Sequence, residues 1–154
     1  MKDAKLQKLS FASITVDMQI QPRANGLNQS HVAEIEESYR NGVDVEPPVV
    51  WKLTDGKGFK LSQGFHRIEA ARRAGLTHLE CVVNVGTELK CVIDAMCSNQ
   101  SHGLKRSTED KERCVLELMK ALPNHTPNSI AEMARVSHHT VARILADSVR
   151  HLPN

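Results

Sequence analysis

The sequence predicts an α+β protein: a small mixed α/β domain over residues 1–86, followed by an all-α domain over residues 87–154. Two observations carry that division. Up to Gly86, short alternating or β-branched stretches take turns with short amphipathic ones, and beyond it every apolar pattern has the helical period. A length of 154 residues also suits two small packed domains.

The elements follow in order. "FASITVDMQI" alternates and is β-branched, which predicts a strand, and "QPRANG" after it predicts a turn. "LNQSHVAEIEESYRNG" sets Val32, Ile35 and Tyr39 at helical spacing, with Asn28 or Ser30 as the cap and Gly42 just past the end. Strands are expected at Val49–Leu53 and Phe59–Ser62 around a Thr-Asp-Gly turn, then a short helix from Arg67 to Ala74 that Gly64 opens and Gly75 closes. "LECVVNV" is a further strand. Past Gly86, "TELKCVIDAMCSNQ" is helical with Thr87 as its cap, and Ser107-x-x-Asp110 opens another helix with the pattern of a capping box. That helix carries an apolar face of Cys114, Val115, Leu118, Met119 and Leu122.

Charge is close to balanced, with 20 Lys and Arg against 18 Asp and Glu. The acidic residues thin out toward the end: from Pro127 onward only Glu132 and Asp147 oppose Arg135, Arg143 and Arg150. A mildly basic tail on a neutral body is a weak nucleic-acid signal. Aromatic residues make up only 3%, which argues against a base-stacking platform for single strands. No apolar run approaches the roughly 18 residues that span a bilayer, and "MKDAKLQKLS" lacks the apolar middle of a signal peptide, so a cytoplasmic, non-membrane protein is expected. Cys81, Cys91, Cys97 and Cys114 form no C-x-x-C pair, which predicts small buried side chains and no metal site.

Two stretches carry chemistry. In "TPNSIAEMARVSHHTVARILADSV", Ile130, Ala131, Ala134, Val136, Val141 and Ile144 are spaced as a helix-turn-helix requires, over about residues 126–146. Ser137 caps the second helix, which turns His138, His139, Thr140 and Arg143 outward, side chains long enough to reach base edges or phosphates of double-stranded DNA. Arg135 stands in the turn where glycine is common. An ordinary helical hairpin with a solvated outer face is the alternative. In "LSQGFHRIEAARRAG", Gly64 permits close backbone approach, helix-start amides attract anions, and Arg67 and His66 add donors. Taken alone, those residues fit a surface turn with solvated charges better than an anion site.

The order Gln21-Pro22-Arg23, Pro48-Val49, Gly64 to Ala70 as G-x-H-R-x-x-A, then Asn99 and "HGLKRSTEDK" before the paired helices resembles the ParB-like N-terminal domain and its DNA-binding neighbour, from about Leu9 to Ala146. Sulfiredoxins are similar in fold and in G-x-H-R, but Phe65 stands where their reactive cysteine would fall, leaving that chemistry no nucleophile. The resemblance implies a homodimer and a site for CTP with Mg2+, made by Arg23, Gly64, Phe65, His66, Arg67, Asn99, His102 and Arg106. It also implies that bound nucleotide modulates the grip on DNA, in plasmid or chromosome partition or in transcription regulation. The sequence departs from the family's E-N-x-x-R motif, with Ser98 in place of the glutamate and His102 in place of the arginine. Loss of that carboxylate removes the group expected to orient water or metal, so no catalytic residue is assigned. Two alternatives stand beside this reading: a nuclease or small-molecule kinase using Glu46, Glu69 or Asp94, and an interaction module with a vestigial pocket.

Overall fold

A computed structural model of the chain describes residues 5–97 and 106–150. It divides into two compact units, Met1–Gln21 with Asn25–Ala95, and Pro22–Ala24 with Met96–Asn154. No helix among the described residues is long and apolar enough to cross a membrane.

The first unit holds a five-stranded sheet. Its strands are β1 (Lys5–Ser10), β2 (Ile14–Thr15), β3 (Val49–Leu53), β4 (Phe59–Gln63) and β5 (His78–Gly86), in the order β1-β5-β3-β4-β2. β1 and β5 are antiparallel, as are β3 and β4, whereas β3–β5 and β2–β4 are parallel. Helices α1 (Gln29–Arg40), α2 (Phe65–Arg73) and α3 (Glu88–Cys97) fall between and after the strands.

Val50 pairs with both Leu61 and Val83, so these three share a face, and all are nearly or fully buried. Val32 of α1 and Phe65, Ile68, Ala70 and Ala71 of α2 complete this unit's apolar core. Each large aliphatic or aromatic side chain buried in this way contributes about 1.5–3 kcal/mol. Trp51 pairs with Lys60 and Asn84 on the opposite face, where Gly86 leaves room for the indole; a Cβ there would lie 2.7 Å from the ring. The Trp51 indole N–H donates to Asp94 of α3 (3.0 Å), which also accepts from Ser62 (2.6 Å) and Gln63 (3.0 Å). Lys60 is buried on that face. Desolvation would depress its ammonium, but Glu88 at 2.8 Å and Asp17 at 3.5 Å outweigh it and hold the group above its ordinary value.

Several expectations need correction. The strand expected across Phe11–Ile20 is reduced to Ile14–Thr15 after a 3-10 turn at Phe11–Ser13. The N-terminal edge strand β1 had no sequence signal, because Lys5, Leu6, Gln7 and Lys8 are all exposed and show no alternation of burial. α2 begins at Phe65 rather than Arg67. Cys91, Asp94 and Ala95 of α3 are bonded to or buried in the sheet unit, which runs to Ala95.

The second unit comprises α4 (Thr108–Ala121), α5 (Pro127–Ala134) and α6 (His138–Arg150), packed pairwise. Cys114, Val115, Leu118, Leu122, Ile130, Ala131, Ala134, Val141 and Ile144 form its core. The capping box at Ser107 and Asp110 is present in both directions. Asp110 does more than the motif requires. It accepts from the Ala24 amide (2.8 Å) and pairs with Arg23 (3.0 Å), fastening residues 22–24 to the start of α4. Burial works against the Asp110 carboxylate, but the Ser107 and Ala24 amides and Arg23 overcome it and hold the carboxyl below its usual range.

α5 closes with Arg135 in the left-handed conformation (φ 58°), and the Val136 N–H reaches back to the Ala131 carbonyl (3.1 Å), as in a Schellman end. Arg135 is the only non-glycine residue at positive φ among those described. Arg135→Gly is therefore expected to stabilise the helical unit by about 0.5–1 kcal/mol, the relief of left-handed strain outweighing the added freedom of the unfolded chain. Thermal unfolding of the two proteins checks it; a lower midpoint for the glycine variant would contradict it.

Candidate functional site

β4 passes into α2 through Gly64, whose φ of 99° is a left-handed value that side chains rarely adopt. A Cβ there would meet the Pro48 Cβ at 2.9 Å and the Arg67 Nε at 3.2 Å. The glycine is thus demanded by backbone geometry and by close approach to a buried proline. The first helical bond is from Ile68 N–H to the Gly64 carbonyl (2.9 Å), so the amides of Phe65, His66 and Arg67 form the electropositive first turn. The Phe65 ring itself is core, 4% exposed, which leaves its amide as the only part able to serve a ligand.

His66 accepts a hydrogen bond at Nε2 from the Asn28 N–H (3.0 Å). An accepting Nε2 fixes the neutral ring with its proton on Nδ1. Asn28 caps α1 through its side chain, which accepts from the His31 N–H, and the His31 and His66 rings meet edge to face with centroids 5.1 Å apart. Two helix N-termini, those of α1 and α2, are therefore joined through one imidazole. Neither Asn28 nor His31 was singled out for this site from sequence; 38 residues separate Asn28 from His66, and only the capping pattern at Asn28 was legible.

Arg67 donates from Nη1 to the carbonyls of Glu46 (2.8 Å) and Pro47 (2.9 Å). Its burial lowers the guanidinium's affinity for its proton, opposed by Glu46 and then Tyr39. A helix-start arginine is expected to be exposed and of little structural weight. This one instead bolts the segment before β3 to α2, so its removal carries a stability cost as well as any loss of binding.

The structure thus brings Gly64, Phe65, His66 and Arg67 together. Arg23 is paired with Asp110 in the helical unit, and Arg106 donates there to the Arg135 carbonyl (3.4 Å). Asn99 and His102, with Ser98, lie outside the described residues. Two of the three carboxylates named for an enzyme are engaged elsewhere: Glu69 with Arg72 and Arg73, and Asp94 with its three donors.

On the other unit, Ser137 accepts from the Thr140 N–H (3.1 Å) and shares a hydrogen bond with its hydroxyl (2.9 Å). These two hydroxyls thus build the start of α6. Val141 and Ile144 are buried on its inner side, and His138, His139, Ala142, Arg143 and Ala146 are exposed on its outer side.

The fold is similar to that of the C-terminally truncated chromosome-partitioning protein ParB from Caulobacter crescentus complexed to the centromeric parS site, with a TM-score of 0.59 and 19% identity, covering 96% of this chain and 73% of that one. It is also similar to the same protein complexed with CTP-gamma-S, at a TM-score of 0.53 and 19% identity, covering 97% and 81%. Residues 1–100 match the family model of the ParB N-terminal domain, and the chain belongs to that family. A curated relative, a "Streptomycin biosynthesis operon possible regulatory protein" of Streptomyces griseus, is 25% identical over 132 residues, 86% of this chain. The chain spans 36% of that relative's length.

Proposed function

We propose that this protein is a cytoplasmic, homodimeric ParB-like regulator or partition factor. It reads double-stranded DNA with a helix-turn-helix formed by α5 and α6, under the influence of a nucleotide bound where α1 and α2 start. The observation that carries the DNA reading is the outer side of α6. There His138, His139 and Arg143 stand exposed beside the small Ala142 and Ala146, while Val141 and Ile144 anchor the helix from within. Small neighbours let long donors approach a groove floor, and Arg143 offers the bidentate geometry that suits guanine or phosphate. The ParB complex with parS and the regulatory name of the Streptomyces relative are in keeping with it.

The corner at α2 suits a phosphate by its three first-turn amides and by the adjoining start of α1. A bound nucleotide, CTP with Mg2+ as the foremost candidate, would supply a multiply charged anion there. Phe65, His66 and Arg67 would hold it through their amides. A vestigial corner is the second reading, and what favours it is the commitment of Arg67 Nη1 to two backbone carbonyls.

The double substitution His138→Ala with Arg143→Ala is expected to abolish specific binding in a gel shift across genomic fragments while leaving the thermal midpoint within about 1–2 °C, as befits exposed side chains. Unchanged retention of the same fragments would remove α6 as the reading element.

A further inference from the structure

In a regular strand, neighbouring side chains point to opposite faces of the sheet. Ser62 and Gln63 nevertheless both reach the carboxylate of Asp94. The ladder explains how. Val50 of β3 lies opposite Leu61 of β4 and Val49 lies opposite Gln63, so Ser62 is an extra residue on β4, a β-bulge. A bulge bends its strand and re-aims a side chain, and this one brings two successive side chains to the side where Asp94 of α3 stands. Asp94 divides its oxygens among the donors. Oδ2 accepts from the Ser62 hydroxyl (2.6 Å) and the Trp51 indole (3.0 Å), and Oδ1 accepts from the Gln63 amide (3.0 Å). Ser62 is fully buried, and its other contact, the Val49 carbonyl at 3.3 Å, is much the longer, so the hydroxyl proton goes to Asp94.

Fastening α3 to the sheet needs only the two contacts at Oδ2. The contact at Oδ1 goes instead to the residue immediately before Gly64, where the chain turns at a φ of 99° into α2. Hydrogen bonds to an ionised acceptor are roughly twice as strong as neutral ones, which makes the Gln63 amide a firm tether. With Gln63 held, the direction in which the chain enters Gly64 is set. Pro48 against Gly64 then limits the turn itself, and the amides of Phe65, His66 and Arg67 follow from it.

We infer that Asp94 is a positioning residue for the anion corner: through Gln63 it sets the aim of the first-turn amides of α2 without touching the ligand. The inference rests on the reading of that corner as a nucleotide site. Its physical content is preorganisation. With Gln63 released, the passage from β4 into α2 has to be ordered at each binding event, which weakens binding while the sheet keeps its other bonds. Trp51 provides the contrast, because it holds the same carboxylate from β3, away from the turn.

The test is calorimetric titration of the full chain with CTP and Mg2+, alongside thermal unfolding. Gln63→Met keeps the length of a half-buried side chain but removes its donor, and it is expected to bind about three- to tenfold more weakly than the parent, the loss that follows when one side chain must be ordered on binding. Trp51→Phe removes the other tether and is expected to lose stability but keep the parent's affinity. Asp94→Ala should bind as weakly as Gln63→Met. Asp94→Asn should restore most of the affinity, since it retains an oxygen for Ser62 and Trp51 and the Gln63 amide can turn over to accept from the new one. Parent affinity in Gln63→Met, or an equal loss in Trp51→Phe, would overturn the positioning role and leave the corner standing as a nucleotide site. A parent protein that takes up no CTP would overturn the corner and this inference together.

Discussion

Replacing Asp110 with alanine is expected to destabilise the helical unit by about 3 kcal/mol, within the range seen when one partner of a buried ion pair is removed. Three donors converge on that carboxylate: the Ser107 amide (2.9 Å), the Ala24 amide (2.8 Å) and the Arg23 guanidinium (3.0 Å). The side chains of Arg23 and Asp110 are 12% and 8% exposed, so water replaces little of what is lost. Alanine ends the capping box, worth about 1 kcal/mol alone, and also releases the Pro22–Ala24 segment from α4. The pH dependence has a definite sign. The folded-state carboxyl is held below its ordinary 3.8, so its contribution is fully present well above that value. It shrinks as pH falls past the unfolded value and is gone below the folded one. The gap in stability between the parent protein and Asp110→Ala should therefore narrow on acidification, measured by denaturant unfolding at a series of pH values. A gap that widens toward acid would contradict the assignment.

The second large effect is expected at Gly64. Alanine there must adopt a φ near 99° and place a Cβ 2.9 Å from that of Pro48. Left-handed strain costs about 1–2 kcal/mol and the overpacking a further 1–3, so a loss of about 3 kcal/mol is expected. Pro48 is fully buried and cannot move aside cheaply. Chemical denaturation should show the loss without any ligand present. A Gly64→Ala protein as stable as its parent would mean that the glycine serves only a ligand.

That contrast explains what could be read in advance. Caps were legible because they are local: Asn28, Thr87, Ser107 and Ser137 each accept from an amide three residues on. β3, β4, β5 and the buried faces of α4, α5 and α6 were legible from periodicity. β1 was not, because an edge strand with exposed lysines carries no apolar alternation. The corner at α2 was legible as a motif and misjudged in its energetics. Gly64-x-His66-Arg67 can be seen in the chain, but the partners that define it, Asn28, Glu46 and Pro47, lie 20 to 38 residues away. The same distance hid Arg23, which reads as a phosphate donor beside Gln21-Pro22 but meets Asp110 across 87 residues of sequence.

The central claim is that the meeting of the α1 and α2 starts takes a nucleotide. Amide spectra of the isotopically labelled protein, titrated with CTP and Mg2+, test it without any substitution. Saturable shifts are expected to begin at the amides of Phe65, His66 and Arg67 and to extend to Gln29 and Ser30 at the head of α1. Shifts confined to other residues, or none at millimolar nucleotide, would contradict it.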